Sequence, residues 1–269
     1  MKKPNLDDSR ALLDRARKHF AELNALLHPR DGPGLWQTSE QRDPKTGEWF
    51  YCLHMDRQRL ITAKPIIADS ASNVSSALDH VASAIAKTKG HSRLKWLYFP
   101  WGFTDEAFEK ALAKVKPVFG DEMTDALAAA RAKYRHEVHH VETAKQVSNS
   151  GKHWELMLAA GTAHGIALHV PGTGQQIFQI PADAFAESDI FEYHRGADRL
   201  PRVPFNVVIG QAIDGLDEDL PKSPDSILEC SFRFVAGVIA AVEAAAISSA
   251  PNGGEDGGGD QRPTESFDS

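Results

Sequence analysis

Residues 64–87 read KPIIADSASNVSSALDHVASAIAK, and the period of this stretch decides the class of the fold. Val74, Leu78, Val81 and Ile85 recur at i, i+4, i+7 and i+11, the spacing of an apolar stripe along one face of a helix. Asp69, Asn73, Ser76 and His80 repeat the same spacing beside it, so a polar ridge borders the core-facing stripe. Upstream, Leu12, Leu13, Ala16, Phe20, Leu23 and Leu27 make an amphipathic helix over 8–27, closed by Pro29 and by Gly32-Pro33-Gly34. Between these helices the period changes. Strand-like runs flank Asp43-Pro44-Lys45-Thr46-Gly47, which predicts a β-hairpin over 35–55.

Downstream, a loop carries Trp96, Tyr98, Phe99 and Trp101 and is expected to plug a core edge; helices follow over 104–116 and 121–148. From 154 to 210 the chain turns to short runs such as LMLAA, GIALHV, QQIFQI and FNVVIG, separated by Pro, Gly and Asp, the pattern of an antiparallel sheet. Gly172-Thr173-Gly174 precedes no helix, so it reads as a turn and not as a phosphate loop. Ser223 or Asp225 can cap a closing helix over 224–248. Helices and strands are segregated, which gives an α+β fold: a helical core over 8–153 with a hairpin insertion, an antiparallel sheet, and a closing helix, in one domain over 1–249. Residues 250–269, rich in Gly and acidic side chains, are expected to be a disordered tail.

Composition narrows the function. The net charge of −7 includes five acids against Arg262 alone in the tail, leaving about −3 for the rest, so no broad basic surface for duplex nucleic acid is implied. MKKPNLDDSR lacks the apolar run of a secretory signal, Phe234 to Ala250 is short for a bilayer span and is interrupted by Glu243, and Cys52 and Cys230 have neither metal nor disulfide-framework spacing. A cytoplasmic protein without a membrane span is expected.

One stretch looks like enzyme chemistry. Residues 135–153, RHEVHHVETAKQVSNSGKH, hold four of the twelve histidines and a literal His-Glu-x-x-His. On a continuous helix His136 and His140 could share a zinc ion while Glu137 acts as base. The flanks argue against it: Arg135, His139 and Glu142 are charged or polar, and Thr143 and Gln146 stand where an extended zinc-binding motif has Gly and His. No cofactor is expected, zinc entering only under this alternative. Arg135 and His140 also form an R-x4-H pattern.

The segment 66–86 resembles a family of uncharacterised bacterial proteins with a GDxxHNLRSALDH helix, through Asp69, Asn73, Ser76, Ala77, Leu78, Asp79 and His80. Asn149, Lys152 and His153 match that family's second signature, N-x-D-K-H. The family's arginine falls on Ser75, its histidine on Ser72 and its aspartate on Gly151. Its Arg followed by His is similar to the R-x4-6-H motif of HEPN helical ribonucleases and nucleotide binders, in which arginine holds phosphate and histidine moves a proton without a metal. The resemblance therefore implies a HEPN-like helical core and a pocket made by Asp69, Asn73, Asp79, His80, Asn149, Lys152 and His153. The expected function is binding of a nucleotide or RNA between two helices, with a possible homodimer as the assembly. Two alternatives are a metal-independent ribonuclease using His80 and His153, and a zinc hydrolase using His136, Glu137 and His140.

Overall fold

Asp56 begins the central helix: its carboxylate accepts the Arg59 N–H at 3.2 Å, satisfying one of the donors that a helix start leaves open. In the computed structural model this helix runs over Arg57–Thr88, seven residues earlier than the Lys64 start expected from the sequence. Leu60 and Ala63 are buried on the added turns, and the Arg59 guanidinium bonds both Asp56 and the Leu26 carbonyl. Pro65 lies inside the helix on its exposed side.

The structure describes residues 3–92, 94–153, 159–170, 174–181, 184–185, 187–200, 205–213, 216, 220–221 and 223–248, with the side chains of 151–153, 159–170, 174–179 and 205–212 outside that description. The expected tail, 250–269, and the residues 171–173 of the expected turn lie outside the described residues. In chain order the elements are α1 (Asp7–Leu27), β1 (Trp36–Arg42), β2 (Trp49–Met55), α2 (Arg57–Thr88), α3 (Asp105–Phe119), α4 (Asp121–Lys133), α5 (Val138–His153), β3 (Ala159–Val170), β4 (Gly174–Gln179), β5 (Ile190–Gly196), β6 (Phe205–Ile213) and α6 (Pro224–Ser248). The fold is α+β, as the segregated periods require.

Helix α2 is the axis of the core, packed by α1, α5 and α6. Its stripe residues Val74, Leu78, Val81 and Ile85 are all fully buried. The Ser70 hydroxyl donates to the Ala16 carbonyl at 3.0 Å, a buried bond that fixes α1 against α2. Helix α6 is long and apolar enough to cross a membrane by length and composition, with half of its most apolar window buried inside the fold. Glu243, the charge in that run, is engaged by Arg10 and Lys3. Ser223 supplies the cap of α6, its hydroxyl accepting the Ser226 N–H at 3.4 Å.

The hairpin forms as expected, with Asp43 accepting the Lys45 N–H and Gly47 at φ +75° closing the turn. The hairpin is extended by one of the later strands, β2 pairing with β1 and β5 in the order β1-β2-β5, while β3 is the centre of a second described sheet, β4-β3-β6. Alternation of apolar residues shows that a strand has an inner face; it carries no information about which strand lies alongside.

The expected helix over 121–148 is two helices, broken at 134–137. The break has tertiary causes. The Tyr134 ring lies so close to Gly237 on α6 that a Cβ there would sit 2.1 Å from it, and Glu137 accepts from Arg233 of the same helix at 3.3 Å. Neither contact is visible in the local sequence, which is rich in good helix formers.

Candidate functional site

The polar ridge of α2 does not form the pocket expected from it. Asn73 turns back to donate its amide N–H to the Asp69 carbonyl at 2.7 Å, and Asp69 is exposed. His80 is exposed, with Nδ1 3.6 Å from an Asp8 carboxylate oxygen on α1. These residues flank the α1 contact and do not converge with Asn149.

Asp79, one residue before His80 and so about 100° around the helix, faces the other way. It lines a cleft of about 600 Å³ between α2, α3, α5 and the loop at 96–101. Ser75, Lys114, Lys145 and Asn149 share this cleft with Trp96, Tyr98 and Trp101. The structure thus brings together Asp79 and Asn149, and it sets Ser75 beside them. Lys152 and His153 follow on the last turn of α5, their side chains outside the described residues.

Three side chains hold the loop that forms one wall. Asp79 Oδ1 accepts the Phe99 N–H at 3.0 Å; buried Glu142 accepts the Gly102 N–H; Arg131 donates to the Gly102 carbonyl at 2.8 Å and the Phe103 carbonyl at 3.3 Å. Residues 99–104 therefore form a strap tied from α2, α4 and α5. On this strap and its approach, side chains alternate: Leu97 and Phe99 are buried, whereas Trp96 and Tyr98 are 43% and 58% exposed. The loop plugs a core edge as expected, but only with half of its aromatic residues.

The two lysines sit on the indoles. Lys145 Nζ lies 4.5 Å from the centre of the Trp101 ring, and Lys114 Nζ lies 5.8 Å from that of Trp96, both within cation–π range. Burial pushes the Lys145 ammonium below the ordinary lysine range, against the opposing fields of Glu142 and Asp79. Burial likewise pushes Glu142 above the ordinary carboxylate range, opposed by the Gly102 N–H and by Lys145, Arg131 and His139. Lys114, Lys145, Glu142 and Arg131 are site residues that no sequence motif marks. The one legible signal is the spacing of Lys145 and Asn149, i and i+4 on a helix, which places them on one face.

The His-Glu-x-x-His stretch is not arranged as a metal site. His136 and Glu137 lie in the turn before α5, Glu137 is engaged by Arg233, and His140 faces α6, where its Nε2 lies 3.1 Å from the Ser226 hydroxyl. Its Nδ1–H donates to the His136 carbonyl at 3.2 Å, so the neutral tautomer satisfies both partners. Among the described residues no three His, Cys, Asp or Glu side chains converge to hold a metal ion. The R-x4-H pattern also separates, because Arg135 lines a second groove, of about 850 Å³, with His136 and His139, while His140 turns away from it.

Burial lowers the His140 pKa from its ordinary value of 6.5, aided by Arg233 and His139 and opposed by the His136 carbonyl and Glu137. Because the folded-state value is depressed, the unfolded chain takes up the proton first as pH falls below about 6.5, and stability is lost there. Urea unfolding at pH 7.5 and 5.5 should show a loss that His140→Gln reduces; an equal loss in both proteins would remove His140 from the acid response.

The chain matches no protein-family model, no curated protein and no solved structure.

Proposed function

We propose that the protein is a cytoplasmic binding protein for an anionic, ring-bearing ligand of the nucleotide class, either a mononucleotide or a base and phosphate of single-stranded RNA. The observation that carries this reading is the pairing of two lysines with two tryptophans inside one cleft. Lys114 offers positive charge to phosphate, and the exposed faces of Trp96 and Tyr98 offer stacking surface that every base can use. Asn149 at the rim presents an amide whose donor and acceptor can meet a base edge. The HEPN-like resemblance supports the same ligand class. Catalysis is not part of the proposal, since the His80 imidazole lies toward Asp8 and not in the cleft.

Tryptophan fluorescence titration with ATP, GTP and short oligo(A) and oligo(U) RNA tests the reading and separates its two sources. Stacking on an aromatic side chain contributes about 1–3 kcal/mol per base, so Trp96→Ala should weaken binding about tenfold or more. Lys114→Ala should weaken it and flatten its dependence on salt. Saturation by mononucleotides identifies a nucleotide site, and saturation by oligonucleotides alone identifies single-stranded RNA. Absence of binding by all four at millimolar concentration refutes the proposal.

A further inference from the structure

The amine of Lys145 combines features that the binding proposal does not require. It is half-buried on the wall of the cleft, with its Nζ against the Trp101 face. Glu142 lies one turn before it on α5, and Asp79 faces the same cleft from α2. Lys114 stands on the α3 wall, where a second cation can hold an anionic group away from the reacting nitrogen. A cleft that desolvates one amine, supplies a separate cation for the ligand's anion and places a carboxylate nearby has the parts of a site for imine formation.

We propose that Lys145 is a carbonyl-reactive residue, and that the cleft takes an anionic aldehyde or ketone with a planar body and holds it as an imine on Nζ. The nitrogen lone pair attacks the carbonyl carbon, forming the N–C bond as the C–O π pair moves to oxygen. Asp79 relays the two protons of the attacking amine to oxygen in turn, the first converting the alkoxide to the carbinolamine hydroxyl and the second letting that hydroxyl leave as water as the C=N bond forms. The step is a condensation that consumes and produces no electrons. No oxidant, metal or further reactant is needed.

Burial favours the neutral amine, Glu142 from α5 and Asp79 from α2 oppose it, and the net direction for Lys145 is downward. The proposal rests on the anion-and-ring chemistry of the cleft and not on a nucleotide occupying it. Failure of nucleotide binding with Lys145 still reactive would therefore refute the nucleotide reading alone.

Pyridoxal 5′-phosphate, a planar phosphorylated aldehyde, is a suitable probe. The full chain is treated with substoichiometric probe, reduced with borohydride and mapped by peptide mass spectrometry, with circular dichroism of each variant as a check of folding. The labelling rate at Lys145 should exceed that at the exposed Lys18 and Lys110. Its pH midpoint should lie below theirs. In a folded Lys145→Arg variant the label at this position disappears with no compensating rise at Lys114. Asp79→Asn, which keeps an oxygen to accept the Phe99 N–H, should slow imine formation while leaving the other lysines unchanged. Inorganic phosphate should compete. Labelling of Lys145 at the same rate and with the same pH midpoint as Lys18 and Lys110 overturns the proposal.

Discussion

Gly102→Ala is expected to lower the free energy of unfolding by about 3 kcal/mol and to abolish ligand binding in the cleft, the former read by urea denaturation and the latter by fluorescence titration. A Cβ at this position would lie 2.4 Å from the Phe108 nitrogen and 2.7 Å from the Ala107 carbonyl carbon and Phe108 Cα. All three atoms belong to the backbone of the first turn of α3, so no side chain can swing aside. The strap must lift instead. Lifting it draws the Gly102 N–H from Glu142 and the Gly102 carbonyl from Arg131, and it displaces the wall that carries Trp101.

The useful comparison is Gly90→Ala. Gly90 has φ +84° and nothing within 4 Å of the place a Cβ would take, so its substitution carries only the backbone strain of a left-handed conformation, about 1 kcal/mol. The expectation is thus an ordering as well as a magnitude. A Gly102→Ala variant no less stable than Gly90→Ala would show that the strap can leave α3 at little cost, and the cleft would then not be a preformed site.

How much of this was legible follows from what periodicity encodes. The stripe Val74, Leu78, Val81 and Ile85 is fully buried, as its spacing demands, because a helix has only one way to put four such residues on a face. The same spacing set Asp69, Asn73, Ser76 and His80 in a line, and the line exists. Its neighbour could not be read: α1 lies alongside His80, and the cleft opens at Asp79. Asp79 and Asn149 were paired by resemblance, and both line the cleft. The strap escaped altogether, since residues 99–104 have no period and are defined by partners 20 to 40 residues away. Tyr134 tells the same story in reverse. A run of helix formers breaks there because of Gly237, over a hundred positions later.

Arg131→Met is the second substitution expected to be severe, again by about 3 kcal/mol in urea unfolding. The Arg131 residue is only 8% exposed, and its guanidinium donates to two strap carbonyls while lying 4.6 Å over the Phe108 ring. Methionine preserves much of the packing and none of the donors, so the Gly102 and Phe103 carbonyls lose their partner. The ion pair with Asp105 adds little, because that carboxylate is almost wholly in water. Lysine recovers less than half of the loss, since one ammonium cannot span two carbonyls as a planar fork does. Combined with Gly102→Ala the effects should be less than additive, for both act by releasing the same strap.

The pH dependence separates the two roles of this arginine. Arg131 opposes the upward push of burial on the Glu142 pKa, so removing it raises that pKa further. For a carboxyl group whose folded-state value is raised, stability is fully present below the unfolded value, near 4.5, and is lost as pH rises through the folded one. The deficit of Arg131→Met should therefore be greatest near pH 7 and shrink as pH falls toward 4.5. A deficit constant over that range would assign the whole effect to the two carbonyls. A shrinking one shows that the arginine also offsets the cost of ionising the buried Glu142 carboxyl.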